Sequence, residues 1–168
     1  MFQDEARFGR INEPKRCWAA PGDRPQVKAQ LVREFTYAYS ATSPKDGQSV
    51  SLILPDANTQ CMNLHLAEIS KRFPEEEIIV VMDGAGWHKS KALKVPHNLH
   101  PLRLPPYCPD LNPQENVWKV LREDWFDNLV FSSMQAVEDR LEQGLKAQGD
   151  HPENLKSVVA YPWLIELL

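Results

Sequence analysis

The sequence predicts an α/β domain built on a mixed sheet flanked by helices, and three observations lead there. The elements run in the order strand, hairpin, helix, strand, small strand, then helices. Ile78-Ile79-Val80-Val81 is apolar on both faces, as suits a central strand covered on both sides. Two further segments repeat their apolar residues at helical spacing. With 168 residues the chain fits a single domain, 1–168, long enough to bury a real core.

Phe2-Gln3-Asp4-Glu5 reads as the end of a first strand that is cut short at its beginning. Arg7 to Gln30 is rich in Pro, Gly and charge, and suits an extended connection. Phe35 to Ala41 and Ser49 to Leu54 form a hairpin across Ser43-Pro44-Lys45-Asp46-Gly47, where Gly47 is free to take a positive φ. Asn58 caps a helix whose Met62, Leu66, Ile69 and Phe73 share a face, and Pro74 ends it. Glu77 to Met82 is the buried strand. A short polar helix near Lys89 to Leu93 and a brief strand near Leu102 to Leu104 follow. After Pro105-Pro106-Tyr107-Cys108-Pro109, the segment Asn112-Pro113-Gln114-Glu115 opens a helix with a capping-box pattern. A last long helix spans Ser133 to Gln148.

Composition narrows the function classes. No apolar run approaches the roughly 20 residues a membrane span requires, and Asp4, Glu5 and Arg7 interrupt any secretion signal. Cys17, Cys61 and Cys108 make neither a CxxC pair nor a zinc pattern, so free thiols in a reducing, cytoplasmic setting are expected. The net charge of −4 argues weakly against DNA contact, but its distribution says more. Between Gly84 and Pro109 stand Lys89, Lys91, Lys94 and Arg103 with no acid, whereas acids outnumber bases from Asp110 onward. A basic stretch beside acids is what a metal-dependent nuclease needs, and it is equally common on a solvated loop.

Asp4, Asp83 and Glu115 sit where functional acids tend to sit: two at strand ends and one in the first turn of a helix. Carboxylates gathered at one place repel unless they are protonated or bridged by cations. Mg²⁺ is the natural bridge, because it binds a few carboxylates while keeping waters and phosphate oxygens. Each acid has a plainer reading. Asp4 is half of a surface Asp-Glu pair, Asp83 begins a turn with Gly84, and Glu115 completes a capping box. Asp4 and Glu5 face opposite ways in a strand, so only one of them enters a site. His88 is a polar loop residue or a contributor to DNA contact, and Trp87 and Tyr107 are core or lid aromatics or base-stacking platforms.

Two stretches decide among these readings. Met82-Asp83-Gly84-Ala85-Gly86-Trp87-His88-Lys89-Ser90 and Leu104-Pro105-Pro106-Tyr107-Cys108-Pro109-Asp110-Leu111-Asn112-Pro113-Gln114-Glu115-Asn116-Val117-Trp118 resemble the signature of mariner-superfamily transposases, in particular the bacterial insertion-sequence 630 type. Phe2-Gln3-Asp4-Glu5-Ala6-Arg7-Phe8-Gly9 resembles the first acidic motif of that branch. The resemblance implies a ribonuclease-H-like fold and a DDE metal triad of Asp4, Asp83 and Glu115. It implies Mg²⁺ or Mn²⁺ as cofactor, two ions with DNA bound. The implied chemistry is strand cleavage at transposon ends and strand transfer into target DNA, with His88, Lys89, Lys91 and Arg103 as DNA-contacting residues. Asp110 is then a conformational residue of the loop rather than a ligand.

Two details depart from the pattern: Glu115 lies 32 residues after Asp83, a little short of the mariner separation, and Gly84 stands where Asn is frequent. Relatives of this type carry an N-terminal helix-turn-helix region that is absent here. The expected partners are therefore double-stranded DNA (transposon ends and target), a second copy of the chain on DNA, and a separate helix-turn-helix polypeptide. The expected location is the cytoplasm, in association with the nucleoid. The alternative is an inactive remnant that only binds DNA or associates with other proteins, and a ribonuclease-H-like repair nuclease is a third.

Overall fold

The computed structural model describes residues 1–106 and 108–166. Five strands form one mixed sheet: β1 (Phe2–Ile11), β2 (Leu31–Thr42), β3 (Ser49–Leu54), β4 (Ile78–Met82) and β5 (Leu99–Arg103), in the order β3-β2-β1-β4-β5. The β1–β2 and β2–β3 pairs are antiparallel, and β1–β4 and β4–β5 are parallel. The helices are α1 (Thr59–Arg72), α2 (Gln114–Trp125), α3 (Met134–Gly149), α4 (Pro152–Val159) and α5 (Pro162–Ile165). This is the expected ribonuclease-H-like arrangement, a mixed sheet with helices on both faces.

Alternation along β1 divides the core. Phe8 and Ala6 point to the side of α2 and α3, where they pack with Trp118, Leu121, Val137 and Leu141. The opposite face carries Tyr39, Val50, Val80 and Met82, which close over Met62, Leu66 and Ile69 of α1. α1 starts as its sequence announces: Asn58 Oδ1 accepts the Cys61 N–H at 2.9 Å. α3 does the same with Ser133, whose Oγ accepts from Ala136 N at 3.2 Å. The hairpin turn also forms where expected, with Gly47 at φ 77°.

Several expectations are corrected. The first strand does not stop at Asp4-Glu5; it has ten residues and runs on to Ile11, because Arg7 to Gly9 continue the ladder with β2. The connection is therefore shorter than Arg7 to Gln30, and its base is closed where Asn12 N–H donates to the Gln30 carbonyl and Gln30 N–H donates to Asn12 Oδ1. The ladder also extends β2 back to Leu31. The strand β4 is interior to the sheet but not central, since β1 takes the middle place, and it is not covered on both sides throughout, since Ile79 is 57% exposed. The short helix lies earlier than Lys89 to Leu93, as a single 3-10 turn at Gly86–Lys89. The small strand likewise begins at Leu99 rather than Leu102. The two short helices after α3 have no counterpart in the sequence reading.

Candidate active site

The sheet register brings the first two acids together. Phe2 is the parallel partner of Val81. Two residues further along each strand come Asp4 and Asp83, side by side and on the same side of the pleat. Asp4 thus lies inside β1, not at its end, while Asp83 directly follows the last residue of β4.

Two contacts bring the third acid in. Asn112 Nδ2 donates to the Gln3 carbonyl at 3.2 Å, pinning the start of α2 against β1. Trp118 Nε1 donates to Asp4 Oδ2 at 2.9 Å, and Glu115, three residues before Trp118, shares its helix face. The capping-box explanation for Glu115 does not hold here. The Asn112 N–H that a box would need is bonded to the Pro109 carbonyl at 2.8 Å, and the Asn112 side chain itself accepts from Gln114 N at 3.2 Å. Glu115 is exposed instead.

Asp4, Asp83 and Glu115 line one cleft of about 580 Å³, together with Lys89, Arg103 and the loop Leu104-Pro105-Pro106. Burial first, then the charges of Glu115 and Glu5, push the Asp4 carboxyl up to about 7. Asp83 is held below the usual carboxylate range, chiefly by its hydrogen bond from His88. The donor set is all carboxylate oxygen, and Asp4 is under a strain of like charge that a cation relieves, so the residues fit a hard divalent ion. Among the described residues no three acidic, His or Cys side chains are drawn into a single coordination shell.

The basic residues divide. Lys89 and Arg103 line the cleft, and a Cβ on Gly84 would lie 3.1 Å from Lys89 Nζ. Lys91 is exposed away from it, as is Asp110. His88 is not at the surface. Its ring is fully buried, with Nδ1 2.8 Å from Asp83 Oδ1 and Nε2 3.0 Å from Glu5 Oε1. Burial works to lower its pKa, but hydrogen bonds to Asp83 and Glu5 carry it up to about 9. Trp87 is half-buried and donates to Glu5 Oε1 at 3.3 Å, while Tyr107 lies outside the described residues.

Sequence reasoning missed two members of this arrangement. Glu5 was correctly set facing away from Asp4, but strand alternation does not tell what the far face holds. Trp118 stood in plain view within the second motif, and its indole N–H gave no signal until α2 was docked on β1. The three free cysteines conform to expectation, and no described helix is long and apolar enough to cross a membrane.

Comparison with known proteins follows the same lines. The model of a family described as DDE superfamily endonuclease matches residues 1–138. A protein of Sinorhizobium fredii, described as uncharacterized protein y4pE/y4sA, is 33% identical over 130 residues, which make up 77% of this chain and 96% of that protein. Among solved structures, the Mos1 transposase paired-end complex with left transposon end has a TM-score of 0.60 at 17% identity, covering 95% of this chain and 55% of that one. The Mos1 mariner paired end complex with Mn has a TM-score of 0.58 at 17% identity, over 95% and 55% of the two chains. The chain therefore spans about half the length of the transposase chains whose fold it shares.

Proposed function

The chain belongs to the DDE superfamily endonucleases, and from that membership we propose that it is the catalytic domain of a DNA transposase, cutting and joining strands of double-stranded DNA. Asp4, Asp83 and Glu115 are its catalytic carboxylates and hold Mg²⁺ or Mn²⁺. The observation that carries this reading is the convergence of those three acids, from β1, the end of β4 and the start of α2, on one cleft. Two ions bound there supply an activated water or 3′-hydroxyl and stabilise the leaving oxygen in phosphoryl transfer.

The rest is done by the chain's own residues. Trp118 orients Asp4 by its indole N–H. Asp4, raised to about 7, gives up its proton when the site is filled. Lys89 and Arg103 meet the phosphates entering the cleft, and Lys91 meets phosphates outside it. In line with its net charge of −4, DNA-end recognition comes from a helix-turn-helix region outside this domain, and the domain works as a homodimer on DNA. The Mos1 neighbour described with a left transposon end supports the DNA assignment.

Nicking of duplex DNA bearing transposon ends tests this, with Mn²⁺ or Mg²⁺, using the chain alone and with a separately supplied helix-turn-helix polypeptide. Cleavage is expected, and Asp83→Asn or Glu115→Gln is expected to remove it. Undiminished cleavage in both variants would overturn the triad. No cleavage under either condition would leave a DNA-binding or associating remnant.

A further inference from the structure

The reading of Asp83 as a metal ligand leaves one group of residues without a role: a buried acid and a buried histidine behind it. Glu5 Oε1 is met by three donors, Gln3 Nε2 at 3.1 Å, Trp87 Nε1 at 3.3 Å and His88 Nε2 at 3.0 Å. The Glu5 side chain is 5% exposed and that of His88 is fully buried. Both ring nitrogens of His88 face carboxylate oxygens. Arg103 Nη2 fixes the backbone at the same point by donating to the His88 carbonyl at 3.1 Å. Stability alone does not account for such a pair, because a well-packed apolar pair of similar volume is often as stable or more so.

What the pair does is visible at its far end. Asp83 has a side chain 53% exposed, and so exposed a carboxylate has rotamer freedom to lose. Its Oδ1 accepts the Ala85 N–H at 2.9 Å and pairs with His88 Nδ1 at 2.8 Å, a nitrogen that also lies 3.2 Å from the Asp83 backbone carbonyl. Among the described residues Oδ2 takes no hydrogen bond, so one oxygen is tied to the protein and the other is left for the cleft. We propose that His88, gripped by Glu5, is a positioning residue that locks the Asp83 carboxylate by Oδ1 and presents Oδ2 to a divalent cation. Residues that orient a ligand from behind act in this way at metal sites generally. The proposal rests on Asp83 being a ligand.

Mn²⁺ affinity is measured by calorimetry on the whole chain, normalised to the folded fraction read by circular dichroism in the same samples. His88→Ala and Glu5→Gln are expected to weaken binding roughly 10- to 100-fold, the range for partners that orient metal ligands. His88→Asn keeps a donor toward Asp83 and is expected to recover most of the loss. Folded His88→Ala or Glu5→Gln with undiminished affinity overturns the proposal. If Asp83→Asn weakens binding and these variants do not, the positioning role falls and the ligand assignment stands. If Asp83→Asn itself changes nothing, the ligand assignment falls first. In the unmodified chain, Mg²⁺ titration is expected to shift the His88 Nδ1 resonance, and an unmoved resonance also overturns the proposal.

Discussion

Asp4 carries the largest electrostatic cost in the cleft, and its sign sets a pH dependence. Burial first, then Glu115 and Glu5, raise its carboxyl from an ordinary 3.8 to about 7. The folded chain thus holds this proton more tightly than the unfolded chain does. The stability it contributes is complete below pH 3.8 and is lost as pH rises through 7. Asp4→Asn is therefore expected to stabilise the protein by about 1–3 kcal/mol at pH 8 and to leave it little changed at pH 4, as read by urea unfolding. His88 works in the same direction at higher pH: with its pKa raised to about 9, its contribution is full below 6.5 and disappears as pH passes 9. Trp118→Phe keeps the aromatic contact with Phe8 but removes the N–H from Asp4. It should cost about 1 kcal/mol, weaken Mn²⁺ binding, and move the Asp4 titration upward in a carboxylate-resolved NMR experiment.

At the scale of elements, the site depends on how α2 packs beside α3 on one face of the sheet. Gly144 of α3 lies against it, and a Cβ there would stand 2.6 Å from Leu121 Cδ1 and 3.1 Å from the Trp125 ring. Leu121 is fully buried, so it has little room to yield. Gly144→Ala, which usually favours a helix by up to ~1 kcal/mol, is expected here to destabilise by about 1–3 kcal/mol through overpacking. Thermal melting decides between the two signs. The N-cap of α1 was legible because it is a local hydrogen bond, and Asn58 acts where the sequence places it; Ser133, read only as the start of the last helix, caps α3 in the same way. The start of α2 was legible as a helix start and misread in its chemistry. A capping box assumes that the Asn112 N–H is unpartnered, and the 3-10 turn at Pro109–Leu111 had already taken it.

For the whole molecule, the question is how a chain of net charge −4 meets a polyanion. The answer offered is local: Lys89 and Arg103 at the cleft, with the acids there matched to cations. Lys89→Ala is expected to weaken duplex binding for all sequences alike and to reduce the salt slope of log K by about 0.9. Lys91→Ala, outside the cleft, should reduce binding with less effect on cleavage. Gel shifts over a salt series measure the first, and nicking under saturating DNA the second.

The sequence by itself determined the fold class, the hairpin, the capped helix α1 and the presence of α3, and it named three acids that share one cleft, because these follow from local periodicity, an N-cap and the quoted motifs. Strand limits were less secure, since Arg7 to Gly9 and Leu31 to Glu34 are polar enough to read as loop; Arg7 to Gly9 are strand through their ladder with Phe35 to Tyr37, and β2 reaches Leu31 through its pairing with Ile11. Tertiary structure alone decided the rest. The register Phe2 to Val81 sets Asp4 beside Asp83, the Asn112 and Trp118 bonds bring Glu115 to them, and folding buries the His88 ring between Asp83 and Glu5. The strand register, the two α2 bonds and the contact of His88 with Glu5 each join residues about eighty or more positions apart, and pairings over that distance are fixed by how the elements pack, which no local pattern encodes.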